Sequence, residues 1–248
     1  MTDQTVRSVK RAIEVLGLFA QLRRPLSLKE LTEELKFPSS SLADILKTLS
    51  DLGCLSFDND TKTYFPTTRV AMLGSWVSDE ILPRRDAYSA LERLRAECGE
   101  TILLGTRNDL LIQYLYVLDS GNGAVYRSRP NGQRPIVSSG VGWTLLSTAS
   151  DDAIERLWRR SVAKKLIDRT QLPLNYLFDR INFYRTHGFV SATDSINPDA
   201  AVIATLVPQS GHNRSLAVGI GGPTERILAN EAHISAVLMQ QARTLCEA

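Results

Sequence analysis

A chain of 248 residues, 43% hydrophobic and 23% charged with a formal net charge of +2, has room for two modest domains or one large one. No apolar run reaches the roughly 18 residues needed to cross a bilayer, and the opening "MTDQTVRSVKR" lacks a signal core, so the sequence predicts a cytoplasmic protein with no membrane partner. Residues 1–78 hold 10 basic against 9 acidic side chains, so any nucleic-acid contact depends on where the charges stand rather than on their sum.

In chain order, "SVKRAIEVLGLFAQL" opens at Ser8, a candidate N-cap, and repeats apolar residues at Val9, Ala12, Ile13, Leu16 and Phe19 or Ala20. That spacing predicts a helix with one buried stripe. After the breaker "RRP", Ser27 with Glu30 makes a capping box that opens "SLKELTEELK". Phe37-Pro38 interrupts, because a residue before proline avoids the α region. Ser39 or Ser40 is then the cap of a third helix, in which Leu42, Ile45, Leu46 and Leu49 share one face and Gly53 marks the end. The runs "CLSF" and "KTYFP" around "DNDT" read as a hairpin. Helix, helix-turn-helix and hairpin in this order make a winged helix-turn-helix; a three-helix domain used for protein contacts is the plainer alternative.

From Arg69 to Cys98 the pattern is helical and broken at Pro83, as expected of a connector between domains. The period then turns extended at "TILLGTR", "LLIQYLYVLDS" and "AVYRSR", with "ND" and "GNG" as turns. Helical patterns follow at "SSGVGWTLLSTAS", "DDAIERLWRRS" and "LPLNYLFDRINFYRTHG", then strands at "FVSATD", "AAVIATLVP" and "RSLAVGIGGP", and one last helix at "ILANEAHISAVLMQQARTL". A sheet flanked by helices is the expected second domain.

Little here points to catalysis. Cys54, Cys98 and Cys246 are far apart and lack C-x-x-C spacing, so they read as reduced, packed thiols. His187, His212 and His233 have neither metal spacing nor an identifiable nucleophile. "GIGGP" leads into Pro223 and lacks the dinucleotide fingerprint. No enzymatic activity, metal or cofactor is predicted.

"SVKRAIEVLGLF", "LSLKELTEELKFPSSSLADILKTLSDLGCL" and "YFPTTRVAMLG", followed by "RPIVSSGVGWTLLS", "HGF", "NPDAAVIATLVP" and "SLAVGIGGP", stand in the order and spacing of one family. Over nearly its whole length the chain resembles the IclR family of bacterial transcriptional regulators. The resemblance implies an α+β protein of two domains: a winged helix-turn-helix over 1–68, a linker helix over 69–84 that dimerises, and over 85–248 a GAF- or PAS-like mixed α/β domain that binds a small organic acid. Its partners would be a double-stranded DNA operator and a second copy, as a homodimer or a dimer of dimers.

On the winged domain, Ser39, Ser40 and Ser41 stand at the N-terminus of the reading helix, where backbone N–H groups and the helix dipole favour a phosphate. Arg7, Lys10, Arg11, Arg23, Arg24 and Lys62 are candidates for backbone neutralisation, with Ser27 at the cap of the preceding helix. Where the family usually places His or Tyr and then Arg, this chain has Ala43 and Asp44. Asp44 could accept from cytosine N4, pair with Lys47 one turn on, or mark a loss of DNA reading.

The same resemblance puts the effector pocket between the sheet and the start of the "GVGWTLLS" helix. Ser138 and Ser139 would offer hydroxyls and helix N–H groups to a carboxylate, with Gly140 and Gly142 leaving room beside the backbone and Val141 between them in the lining. An ordinary serine-capped helix with glycines packed on the sheet is the alternative. Where relatives that bind small keto acids carry polar groups, this chain has Ala192, Val202, Gly219 and Gly221. With Ile136, Trp143, Ile203 and Tyr116 nearby, that predicts an aromatic or partly apolar acid as effector.

Overall fold

A computed structural model describes residues 6–81, 87–121, 133–193, 199–208 and 215–245. The chain divides into two compact units, 1–78 and 79–248.

In the first unit, α1 (Arg7–Leu22), α2 (Leu28–Leu35) and α3 (Ser39–Asp51) pack around Val15, Phe19, Leu31, Leu42 and Leu46. A three-stranded antiparallel sheet, ordered β1 (Leu26–Ser27), β3 (Thr63–Pro66), β2 (Leu55–Asp58), closes it as a wing. The two-residue β1 is too short to leave a sequence pattern. The box at α2 forms in full: the Glu30 N–H donates to Ser27 Oγ at 3.3 Å, and the Ser27 N–H donates to Glu30 Oε2 at 2.8 Å. With Arg24 donating to the same carboxylate at 2.7 Å, these hydrogen bonds hold Glu30 at a pKa of about 2.

Two predicted caps are corrected. Val6, not Ser8, is the N-cap of α1, and Pro38 rather than Ser39 or Ser40 is the N-cap of α3. Pro38 has extended backbone angles and its carbonyl accepts the Leu42 N–H at 3.0 Å, so the serines fall inside the first turn. The stripe on α1 is also rotated. Val15 and Phe19 are buried, whereas Val9 and Ile13 are 61% and 64% exposed. Helix α4 (Thr68–Ile81) follows the wing.

The second unit has a six-stranded antiparallel sheet in the order β6 (Gln133–Pro135), β5 (Leu111–Leu118), β4 (Thr101–Asn108), β9 (Leu216–Pro223), β8 (Ala200–Val207), β7 (Val190–Thr193). One face packs on α6 (Gly140–Leu146), α7 (Asp151–Ala163) and α8 (Leu174–His187). The other packs on α5 (Ala87–Cys98), α9 (Thr224–Ala229) and α10 (Glu231–Thr244). This is the predicted sheet flanked by helices, with strand β6 unforeseen. The predicted strand "AVYRSR" lies outside the described residues, as do His212 and Cys246. The single helix expected at the end is two, because Asn230 leaves helical geometry and its side-chain amide donates to the Arg226 carbonyl at 2.9 Å.

Candidate functional site

Helices α2 and α3, joined through Lys36–Pro38, form the helix-turn-helix. Leu42, Ile45, Leu46 and Leu49 bury one side of α3, which turns Ser39, Ser40, Asp44 and Lys47 to solvent and leaves Ser41 and Ala43 half-buried. Asp44 and Lys47 do not pair: the described residues hold no ion pair between them, and the Asp44 carbonyl instead accepts from Thr48 Oγ1 at 2.8 Å.

The predicted cations have different fates. Arg11 is built into the domain, donating to Ser41 Oγ at 2.7 Å with its guanidinium 4.9 Å from the Phe37 ring centre. Arg24 is committed to Glu30 and Lys10 pairs with Glu14 at 3.7 Å. Arg7, Arg23 and Lys47 are exposed, and their side chains make no hydrogen bond or ion pair among the described residues. Lys62 stands in the β2–β3 turn with φ of 53°, held there by the Asp58 carboxylate, which accepts the Asp60 and Thr61 N–H groups. Arg7, Arg11, Ser40, Ser41 and Asp44 meet along a groove of about 680 Å³ between α1 and α3. Ser27, Arg24 and Lys62 lie off that groove, as do Ala43 and Lys47.

In the second unit, the space predicted for a ligand beside α6 is filled by the chain itself. All seven residues of α6 are buried. A Cβ on Gly140 would come within 3.0 Å of Val202 Cγ1 and 3.4 Å of Ala192 Cβ, and one on Gly142 would run into the Ile136 carbonyl. Val141 seats its two methyls where Gly105 and Gly219 lack side chains. The serines are occupied too: Ser139 Oγ accepts the Gly142 N–H at 3.2 Å as the helix cap, and Ser138 Oγ donates to the Pro135 carbonyl at 3.0 Å. The serine-capped, glycine-packed alternative therefore describes this segment as it stands.

Two predicted lining residues belong elsewhere. Ile203 faces α5 and α10, because neighbours along a strand point to opposite faces and its neighbour Val202 faces α6. Tyr116 is turned to the same far side, where its ring lies 5.8 Å from that of Tyr88. The cause is a bulge: β4 pairs Leu104 with Tyr116 and Gly105 with Tyr114, leaving Leu115 unpaired and reversing the alternation. Ile136, Trp143, Ala192 and Val202 do share one core, and Gly219 and Gly221, opposite Ala204 and Val202, lie on that face.

Residues not singled out in the sequence stand at the edge of this core. The Trp143 ring meets Tyr176 edge-on at 5.8 Å and donates its Nε1 hydrogen to the Val137 carbonyl at 2.7 Å. Arg180, one turn beyond Tyr176 on α8, holds its guanidinium 5.4 Å from that ring centre. The spacing of 176 and 180 was the available signal. On the far face, the buried Glu100 carboxylate takes two hydrogen bonds from Arg226, at 2.6 and 2.9 Å. Burial, with Glu97 and Glu100 nearby, pushes the Cys98 thiol up to about 11, so it is inert at neutral pH. Among the described residues, no group of three His, Cys, Asp or Glu side chains is placed to hold a metal.

The IclR helix-turn-helix domain model matches residues 8–59, and the model of the bacterial transcriptional regulator IclR C-terminal domain matches residues 80–247. The chain belongs to the IclR family. IclR regulators are not enzymes, and this one pairs a DNA-binding domain with an effector domain. It is 22% identical over 242 residues to the transcriptional regulator KdgR of Dickeya chrysanthemi, covering 97% of this chain and 79% of KdgR. It is 23% identical to the glycerol operon regulatory protein of Streptomyces coelicolor, covering 99% and 95%. An IclR homolog from Microbacterium hydrocarbonoxydans, solved with 4-hydroxybenzoate, shares its fold with a TM-score of 0.74 at 19% identity, covering 96% and 97%. None of the described helices of this IclR-family chain is long and apolar enough to cross a membrane.

Proposed function

We propose that this IclR-family protein is a cytoplasmic, ligand-responsive regulator that binds a double-stranded operator as a homodimer or dimer of dimers and senses an aromatic or related organic acid. The observation that carries the DNA part is α3 itself, packed through four apolar residues and presenting Ser39, Ser40, Asp44 and Lys47 outward. Two half-sites call for two wings, hence the paired assembly. The aromatic effector rests on the apolar residues under α6 and on the 4-hydroxybenzoate bound by a structural neighbour. Because α6 lies directly on the sheet, an acid entering there displaces side chains and shifts the balance between two packings of the domain, by no more than its difference in affinity for them.

The test is a gel shift on DNA upstream of the protein's own gene across a salt series. A specific complex that weakens steeply with salt supports a phosphate-clamped reader. A second reading, a sensing module that no longer reads DNA, is favoured by the exposed Asp44 carboxylate and by the commitment of Arg24 to Glu30. Asp44→Arg separates the two. If α3 enters a major groove, the substitution changes discrimination between bases by about 1–3 kcal/mol. If neither protein binds at low salt while both are folded, the second reading holds.

A further inference from the structure

We propose that Arg180, backed by Tyr176 and Trp143, is the carboxylate anchor of the effector acid. This rests on the reading of the second unit as an acid sensor and adds to it the residue that recognises the charge. The Arg180 Nε is buried and has no hydrogen-bond acceptor. Neither does the rest of its guanidinium engage any carboxylate or carbonyl among the described residues. Three arginines of this unit are, by contrast, satisfied: Arg185 reaches two carbonyls, Asn182 and Asp151, while Arg226 holds Glu100 and Arg160 holds Asp109.

Arg180 as a whole is half-buried, but a buried N–H without an acceptor is costly, and the fork of a guanidinium matches a carboxylate. What surrounds Arg180 is aromatic rather than acidic. Its Cζ lies 5.4 Å from the Tyr176 ring centre, and Tyr176 meets Trp143 at 81°. Trp143 stands three residues beyond Gly140, where the chain runs so close to Val202 and Ala192 that an added Cβ would crowd them. The cluster therefore joins an unfilled cation, two aromatic rings and the apolar seam under α6. An aromatic acid fits this combination, its carboxylate on Arg180 and its ring against Tyr176 and Trp143.

The experiment is titration calorimetry on the full chain with benzoate, 4-hydroxybenzoate and the uncharged 4-hydroxybenzamide. Wild type is compared with Arg180→Gln, Arg180→Lys and, as a remote-charge control, Arg156→Gln, all checked for an unchanged melting temperature. The expected result is that Arg180→Gln weakens the acids roughly ten- to hundredfold and leaves the amide unchanged. Arg180→Lys should recover part of the loss, and Arg156→Gln should behave as wild type. Equal binding of the acids by wild type and Arg180→Gln would overturn the anchor and leave the acid-sensor reading intact. Equal weakening of acids and amide would also overturn it, since the role would then be in packing. If no acid binds folded wild type, the aromatic-acid reading itself fails, and the anchor with it.

Discussion

Gly142→Ala is the substitution whose outcome the packing decides most directly. The new methyl would stand 2.7 Å from the Ile136 carbonyl carbon and 3.0 Å from its Cα, and closer still to the oxygen. Relaxed carbon contacts need about 3.5–4.0 Å, so turn and helix must separate by close to an ångström. They are not free to do so. Trp143 Nε1 is bonded to the Val137 carbonyl, Ser139 caps the Gly142 N–H, and Val141 is lodged against Gly105 and Gly219. Forcing an overpacked core costs about 1–3 kcal/mol, and losing the cap about 1 more. The sum, about 2–4 kcal/mol, is a large share of the 5–15 kcal/mol typical of a domain. Gly17→Ala is the counterpart: a Cβ there meets nothing within 4 Å, so this exposed helix position gains about 0.4–1 kcal/mol. Urea unfolding followed by circular dichroism, with the two units treated as separate transitions, measures both. A Gly142→Ala protein that unfolds within about 0.5 kcal/mol of wild type would refute the close-approach argument.

Two further outcomes follow from paired charges. Arg226→Ala strands the buried Glu100 carboxylate and should cost about 3–5 kcal/mol; Glu100→Gln should cost less, since Arg226, 47% exposed, can turn to water. The reverse order in thermal melts would contradict this assignment of burial. The Glu30 carboxyl, lowered from 4.5 to about 2 by the Ser27 N–H, Arg24 and the Ser27 hydroxyl, contributes its stabilisation in full above pH 4.5 and loses it as pH falls towards 2. Melting temperatures of the DNA-binding unit between pH 6 and 2 should therefore fall less steeply in Glu30→Gln than in wild type.

Local rules written in short windows carried much of the architecture. The Ser27 and Glu30 box, the apolar face of α3 and the positions of most strands are all statements about residues within a turn or two of each other. What escaped was long-range or depended on a single inserted residue. The bulge at Leu115 sends Tyr116 to the wrong side for its alternation, and no signal in "LLIQYLYVL" marks it. Ile203 was readable, because strict alternation from Val202 already forbids both from lining one wall. The glycines of the α6 segment read as room for a ligand beside the backbone, with packing on the sheet as the alternative, and what lies close to them is the protein's own Ile136 and Val202. Arg180 carried only its spacing from Tyr176, since the missing acceptor at its Nε shows in the fold alone.

The stitching of Pro135 through Ser147 has a mechanical meaning. Its turn is tied to the β4–β5 turn through the Ile136 N–H and the Leu110 carbonyl, its helix is tied back to the turn by Trp143 and Ser139, and Val141 rests on two glycines of adjacent strands. A segment fastened in this way has no hinge of its own. Were it displaced, it would shift as one stiff piece about Val141, and a push at the Trp143 end would be delivered at the β5–β6 edge without being absorbed between them.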